Sequence, residues 1–292
     1  MTDPQALIDA APYEASETVS PLVRRVLARN PSPFTYTGTG TYIVGRGTVA
    51  VIDPGPNTPE HLAALERALA GETVSHIVVT HTHMDHSPAA PALQAATGAE
   101  IIGCAPLVLS DDGPRADAGF DPSYAPDRVL ADGESVTGPG WTLTAIHTPG
   151  HTSNHLCFAL TEEKAVFTGD HVMGWSTTVV APPDGDMADY IASLQRLTTR
   201  DDAVYYPTHG APVIEPQRFV RGLIGHRKQR EGQILRLLGV REQAIPAMVA
   251  AMYAGVDPRL HPAAGRSVLA HLIDLRARGM VVERGDTWGM AA

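Results

Sequence analysis

The residues able to do chemistry crowd into one short window, Thr80-His-Thr-His-Met-Asp-His-Ser87. His81, His83, Asp85 and His86 fill four of its six inner positions, whereas the chain's thirteen histidines, spread over 292 residues, would place well under one there. Imidazole nitrogens and carboxylate oxygens are good ligands for zinc and similar divalent ions. His81 and His83 lie two residues apart, so on an extended segment both face the same side. Asp85 and His86 follow at a bend and can turn toward a second ion.

Such a cluster needs elements that aim it. An apolar strand at residues 74–80 leads into the window, and a helix opening at Ser87-Pro88 and closing at Gly98 leads out. Upstream, β-favouring residues at 35–44 and 48–52 flank Gly45-Arg46-Gly47 and predict a hairpin. Asp53-Pro-Gly-Pro is a turn. Thr58 caps a helix with Pro59 at its first position, Leu62, Leu65 and Leu69 at helical spacing, and Gly71 as its stop. Strands are expected at 100–104, 141–146, 156–160, 165–168 and 204–206, and a helix at 188–197. The first thirty residues read as a polar arm with one short helix near 22–28. After about residue 215 the texture changes to helices at 219–238, 245–253 and 266–278. A hairpin turned at Gly285-Asp286 and closed near Trp288 follows, and together these are the ingredients of a winged helix. The whole reads as an α/β fold with a mixed sheet, or two sheets with helices outside.

The composition is that of a globular chain, 43% hydrophobic and 18% charged. No apolar run spans a bilayer, and the acidic start Met1-Thr-Asp-Pro-Gln has no secretory pattern, so a cytosolic protein without a membrane partner is expected. Cys104 and Cys157 form no C-x-x-C pair and read as buried thiols. The net charge of −10 argues against a broad grip on nucleic acid. The charge is uneven, however: from His226 onward ten Lys and Arg face six Asp and Glu. The run Arg227, Lys228, Arg230 reads as a solvated helix face.

The histidine window resembles the H-x-H-x-D-H signature of the metallo-β-lactamase superfamily. Further segments fit in the same order. Thr148-Pro-Gly-His-Thr resembles that family's P-G-H-T segment, Phe167-Thr-Gly-Asp its G-D strand end, and Tyr206-Pro-Thr-His-Gly its last ligand motif. Val51-Ile-Asp-Pro-Gly resembles the upstream segment whose aspartate supports the ligand loop. The resemblance implies a four-layer αββα sandwich at residues 1–220 and a small winged-helix domain at 221–292, as in the family of β-lactamase-like protein 2. It implies two divalent ions, zinc first, with iron or manganese as alternatives. His81, His83 and His151 would hold one, Asp85, His86 and His209 the other, and Asp170 would bridge them. Asp85 and Asp170 are thereby also the expected catalytic carboxylates. Metal coordination lowers the pKa of water from about 15.7 to about 7, which supplies a hydroxide nucleophile. Asp53 is expected to orient a ligand histidine. His155 and His171 read as packing or supporting residues, and Met173, Gly174 and Trp175 either as core or loop packing or as candidates for the substrate pocket.

Three functions follow. The first is hydrolysis of a small acyl substrate, a thioester, ester or lactone, with at most a weak side activity on β-lactams because Asp170 occupies the bridging position. The second is single-strand-specific endoribonuclease activity on RNA, with Arg266, Arg276, Arg278 and Arg284 as cationic contacts. The third is a non-catalytic winged-helix binding module, which would have no use for seven ligands.

Overall fold

The computed structural model describes residues 4–108 and 119–292. Helix α1 (Pro4–Asp9) and strand β1 (Ser16–Thr18) lead into β2 (Val23–Leu27). Then come β3 (Gly40–Arg46), β4 (Thr48–Ile52), α2 (Pro59–Ala68), β5 (Thr73–Val79), α3 (Ala90–Thr97), β6 (Glu100–Gly103) and the short β7 (Arg128–Val129). These strands form one sheet in the order β1-β2-β3-β4-β5-β6-β7, antiparallel up to β4 and parallel beyond it. A second sheet contains β8 (Ser135–Gly138), β9 (Trp141–His147), β10 (Leu156–Leu160), β11 (Ala165–Gly169) and, after α4 (Met187–Thr198), β12 (Val204–Pro207). Its order is β12-β11-β10-β9-β8, and β11 with β12 is its one parallel pair.

Side-chain alternation along β10 shows how the layers stack. Leu156, Phe158 and Leu160 enter the core between the two sheets, beside Tyr42, Val51 and Phe167. Cys157 and Ala159 face the other way, onto Tyr190, Leu194 and Leu197 of α4. Ala64 and Leu65 of α2 and Leu93 of α3 cover the first sheet from outside. Both faces of both sheets are therefore apolar, and the result is the four-layer αββα sandwich. The expected hairpin forms, with Gly47 at φ 74 in its turn. Thr58 caps α2 as expected, its hydroxyl accepting from the His61 N–H.

One local expectation is overturned. Residues 22–28 contain strand β2 where a helix was expected. Val23, Val26 and Leu27 are buried, and β2 pairs with both β1 and β3. Pairing with the hairpin's edge satisfies its backbone groups and hides three apolar side chains, which outweighs a weak local helical preference.

The C-terminal part contains α5 (Pro216–Val240), α6 (Ile245–Met252), α7 (His261–Ala277), β13 (Val281–Arg284) and β14 (Thr287–Met290). Val220 and Leu223 of α5 belong to the apolar cluster beneath the second sheet. Ile234 and Leu238, near the other end of the same helix, belong to a separate cluster with Met248, Leu272, Val281 and Trp288. The expected division at 220/221 thus falls inside one continuous helix that serves both cores. No described helix is long and apolar enough to cross a membrane.

Candidate metal centre

The strand order places the chemistry. β4 and β5 run parallel and side by side, so Asp53, just after β4, lies next to Thr80, just after β5. β11 and β12 are likewise parallel, so Asp170 and His209 emerge at one edge of the second sheet. His151 sits on the turn between β9 and β10. Two glycines allow the close approach. A Cβ at Gly169 (φ 49) would lie 2.6 Å from His155 Nε2 and 2.8 Å from Thr80 Oγ1, and one at Gly150 (φ 134) would lie 2.3 Å from the Tyr190 Cα.

All seven expected side chains meet at the bottom of one cleft. His81, His83, His151 and Asp170 form one group and Asp85, His86 and His209 another. His83 Nδ1 lies 2.9 Å from His81 Nε2 and 3.1 Å from His151 Nε2. Two nitrogens held at about 2.0–2.1 Å by one tetrahedral zinc lie roughly 3.3 Å apart, so this spacing fits a shared ion. In the second group His209 Nε2 is 3.1 Å from Asp85 Oδ2. Asp170 faces both groups: Oδ1 lies 3.3 Å from His209 Nε2, and Oδ2 lies 3.8 Å from His151 Nε2.

The outer ring nitrogens are fixed by neighbours, which decides which nitrogen faces inward. His86 Nδ1 is 2.9 Å from Asp53 Oδ2. The His209 Nδ1–H donates to the Gly38 carbonyl at 3.0 Å, and the His151 Nδ1–H to the Val179 carbonyl at 2.7 Å. Asp53 is itself held by the Thr80 amide and hydroxyl, both at 2.8 Å, and by the Thr208 hydroxyl at 3.2 Å. The Thr39 hydroxyl donates to Asp85 at 3.1 Å. His155 does more than pack, since its Nε2 accepts the Asp170 backbone N–H at 3.3 Å. The buried His171 ring packs edge-on against Tyr190, centroids 4.9 Å apart.

Two observations call for cations here. Asp53 and Asp170 are buried, and Asp85 lies beside them. Among the described residues, hydroxyls, backbone amides and histidines are the bonded partners of these three carboxylates. Buried charge without a counter-charge is costly. In addition, His86 Nε2 and Asp170 Oδ1 are buried without a hydrogen-bond partner, 3.6 Å apart. The titration behaviour agrees. Burial works against charging His209, yet the Asp170 and Asp85 carboxylates raise its pKa to about 10. His86 is likewise driven up by Asp85, Asp170 and Asp53 in spite of its burial. Burial and the neighbouring His151 lower His83 to about 3, so its ring stays neutral and ready to ligate. The donor set fits two divalent ions.

Above the centre lies a cavity of about 250 Å3 whose walls include Pro33, Phe34, Met84, Met173, Trp175 and Val179. Met173 and Trp175 line it. Gly174 lies behind them, on a separate groove with Phe219. The loop at 30–36 is a wall that the sequence did not announce, with Tyr36 stacked on Trp175 at 4.8 Å. Gly38 and Val179 were also missed. They act through backbone carbonyls, which no side-chain pattern signals. Thr39 left only a faint trace, in the small polar run Gly38-Thr-Gly-Thr41.

The cationic candidates of the C-terminal part have internal partners. Arg276 pairs with Glu283, Arg278 with Glu231 and Asp274, and Arg284 with Glu242, while Arg266 donates to the Pro182 carbonyl. Arg227, expected on a solvated face, is buried with 3% exposure, and its expected neighbour Lys228 is exposed. The correction has a simple cause: α5 carries Arg227 on the side that packs against the catalytic layers.

The metallo-beta-lactamase superfamily profile matches residues 36–209, and the beta-lactamase associated winged helix domain matches residues 244–288. The chain is similar to the beta-lactamase-like protein 2 homolog of Caenorhabditis elegans, at 35% identity over 79% of this chain and 75% of that protein. It is 33% identical to the atrochrysone carboxyl ACP thioesterase dmxR1 of a Cryptosporiopsis species, over 78% of this chain and 66% of that protein. The chain thus spans about two thirds of that relative's length. A beta-lactamase domain protein from Burkholderia ambifaria superposes with a TM-score of 0.80, covering 96% of this chain and 94% of its own, at 21% identity, a likeness of fold alone. With the ligand geometry and these matches together, the chain belongs to the metallo-β-lactamase superfamily and carries that group's C-terminal winged helix.

Proposed function

We propose that this chain hydrolyses a small acyl substrate, a thioester, ester or lactone, using two zinc ions. The observation that carries this reading is the place of the two ligand groups, at the floor of an apolar cavity of acyl-group size. His81, His83 and His151 would hold one ion, Asp85, His86 and His209 the other, with Asp170 between them. Such ions, when bound, supply Lewis acidity and water that ionises near neutral pH. The chain's own residues then do the rest. Pro33, Phe34, Met84 and Trp175 bind the acyl group and keep bulk water away. Asp53, Gly38 and Val179 hold three histidines in the tautomer that directs a lone pair inward. The relative named as an acyl-carrier thioesterase supports this substrate class.

The single-strand ribonuclease reading rested on the resemblance of the C-terminal part to that of β-lactamase-like protein 2 and on the surplus of cations there. Internal pairing of Arg276, Arg278 and Arg284 weakens that support. Side-by-side assays decide. The metal-loaded protein is expected to cleave a model acyl thioester, to lose that activity on chelation, and to bind single-stranded RNA weakly near physiological salt. Tight RNA binding that weakens steeply with salt, together with metal-dependent RNA cleavage, would reverse the choice.

A further inference from the structure

Among the described residues, the buried Arg227 has no carboxylate partner. It lies on α5, in the part of the chain that leads into the winged helix. Its guanidinium donates to the Thr178 carbonyl and its Cζ stands 5.1 Å over the centre of the Tyr190 ring. Both contacts lead to the metal centre. The Thr178 hydroxyl donates to the Asp170 carbonyl at 2.8 Å and to the His171 carbonyl at 3.0 Å. The next residue, Val179, offers the carbonyl that accepts the His151 Nδ1–H. On the other side, Tyr190 backs the turn that carries His151, its Cα filling the space where a Cβ of Gly150 would lie. The Asp186 N–H, one turn earlier, donates to the Gly150 carbonyl at 3.0 Å. A second arginine, Arg266 of α7, donates to the Pro182 carbonyl farther along the same segment.

We infer that Arg227 is a positioning residue for His151, through which the C-terminal helices tune the affinity of the ion held by His81, His83, His151 and Asp170. This rests on the two-ion reading given above. A planar guanidinium can donate in its plane to a carbonyl while its face lies on an aromatic ring. Arg227 thereby clamps together the two segments that fix the His151 ring, the Thr178-Val179 stretch and the Gly150 turn. A lysine keeps the charge but lacks the planar fork and stacking face that hold both contacts in one geometry. Helix α5, which leads into the winged helix, then serves the metal centre mechanically.

The test is zinc competition against a chromophoric chelator for the wild-type chain and for Arg227→Met, Arg227→Lys and Arg278→Met, with circular dichroism to verify folding. The wild type is expected to hold two ions. Arg227→Met should hold one of them about 10- to 100-fold more weakly, the usual cost of losing a group that orients a ligand, and leave the other unchanged. Arg227→Lys should fall between the two. Arg278→Met, which breaks the ion pairs with Glu231 and Asp274 in the same region, should leave both affinities alone. A folded Arg227→Met that keeps both ions at wild-type affinity overturns the inference, as does an equal loss in Arg278→Met. If Arg227→Met does not fold, wild-type affinity in folded Arg227→Lys overturns it equally. A wild type that retains fewer than about half an ion per chain removes the two-ion reading and this inference with it.

Discussion

Replacing Asp53 by asparagine changes one oxygen to an NH2 group and almost nothing in volume, so it isolates the role of the carboxylate. Asp53 accepts four contacts: the Thr80 amide and hydroxyl, the Thr208 hydroxyl and His86 Nδ1. The Thr80 N–H needs an acceptor, as does the His86 Nδ1–H in the tautomer that ligates through Nε2, whereas the two hydroxyls can turn and accept. If the new NH2 faces His86, Nδ1 must accept, the proton moves to Nε2, and the nitrogen that faces the cleft can no longer ligate. If the amide flips, the NH2 meets the Thr80 N–H, and a buried donor is left unsatisfied at a cost of about 1–3 kcal/mol. The first orientation harms the second ligand group through His86, and the flipped one strains the ligand loop at Thr80, next to His81 of the first group. The expected result is a loss of about 10- to 100-fold in affinity for one ion, about 1.4–2.8 kcal/mol, with a melting temperature a few degrees lower. A two-step zinc titration reads both ions separately. Unchanged affinity for both ions in a folded Asp53→Asn protein would falsify the tautomer argument.

Other perturbations have equally definite outcomes. The purified chain should carry close to two metal ions by elemental analysis, and Asp170→Ala, which removes the carboxylate facing both groups, should lose at least one ion and reduce hydrolysis by several orders of magnitude. Near-wild-type turnover with full metal content contradicts that assignment. Trp175→Ala removes an apolar wall and the stacking partner of Tyr36, so KM for a bulky apolar thioester should rise by about 10-fold or more, in keeping with roughly 1.5–3 kcal/mol for one large buried side chain. An acetyl thioester should be affected less, and equal effects on both remove the acyl-pocket assignment. Burial, then the nearby Arg227 and His226, lowers the His271 pKa to about 3. The folded state thus keeps this ring neutral while the unfolded chain protonates it below about 6.5, so stability falls as pH drops from about 6.5 toward 3, by about 1.4 kcal/mol per unit. In urea unfolding, His271→Leu should therefore compare more favourably with the wild type at pH 5 than at pH 7, and parallel pH profiles of the two proteins contradict the sign.

The sequence alone carried the donor set. Seven side chains of ligating type stand in motifs whose order survives translation into space, because short motifs at strand ends need only parallel neighbours to bring them together. The hairpin, the capped helix α2 and the C-terminal helices with their hairpin were legible for a similar reason, since turns, caps and apolar period are local. Only the tertiary structure decided the rest. Residues 23–27 became a strand because a sheet edge was available to them. The division at 220/221 was blurred because α5 buries Val220 in one core and Ile234 in another. Gly38 and Val179 orient their histidines through carbonyl oxygens, which every residue possesses and no pattern marks. Arg227 looked like surface because its charge is visible in the sequence and its surroundings are not. Whether a guanidinium meets water or a buried carbonyl depends on which distant segment folds over it.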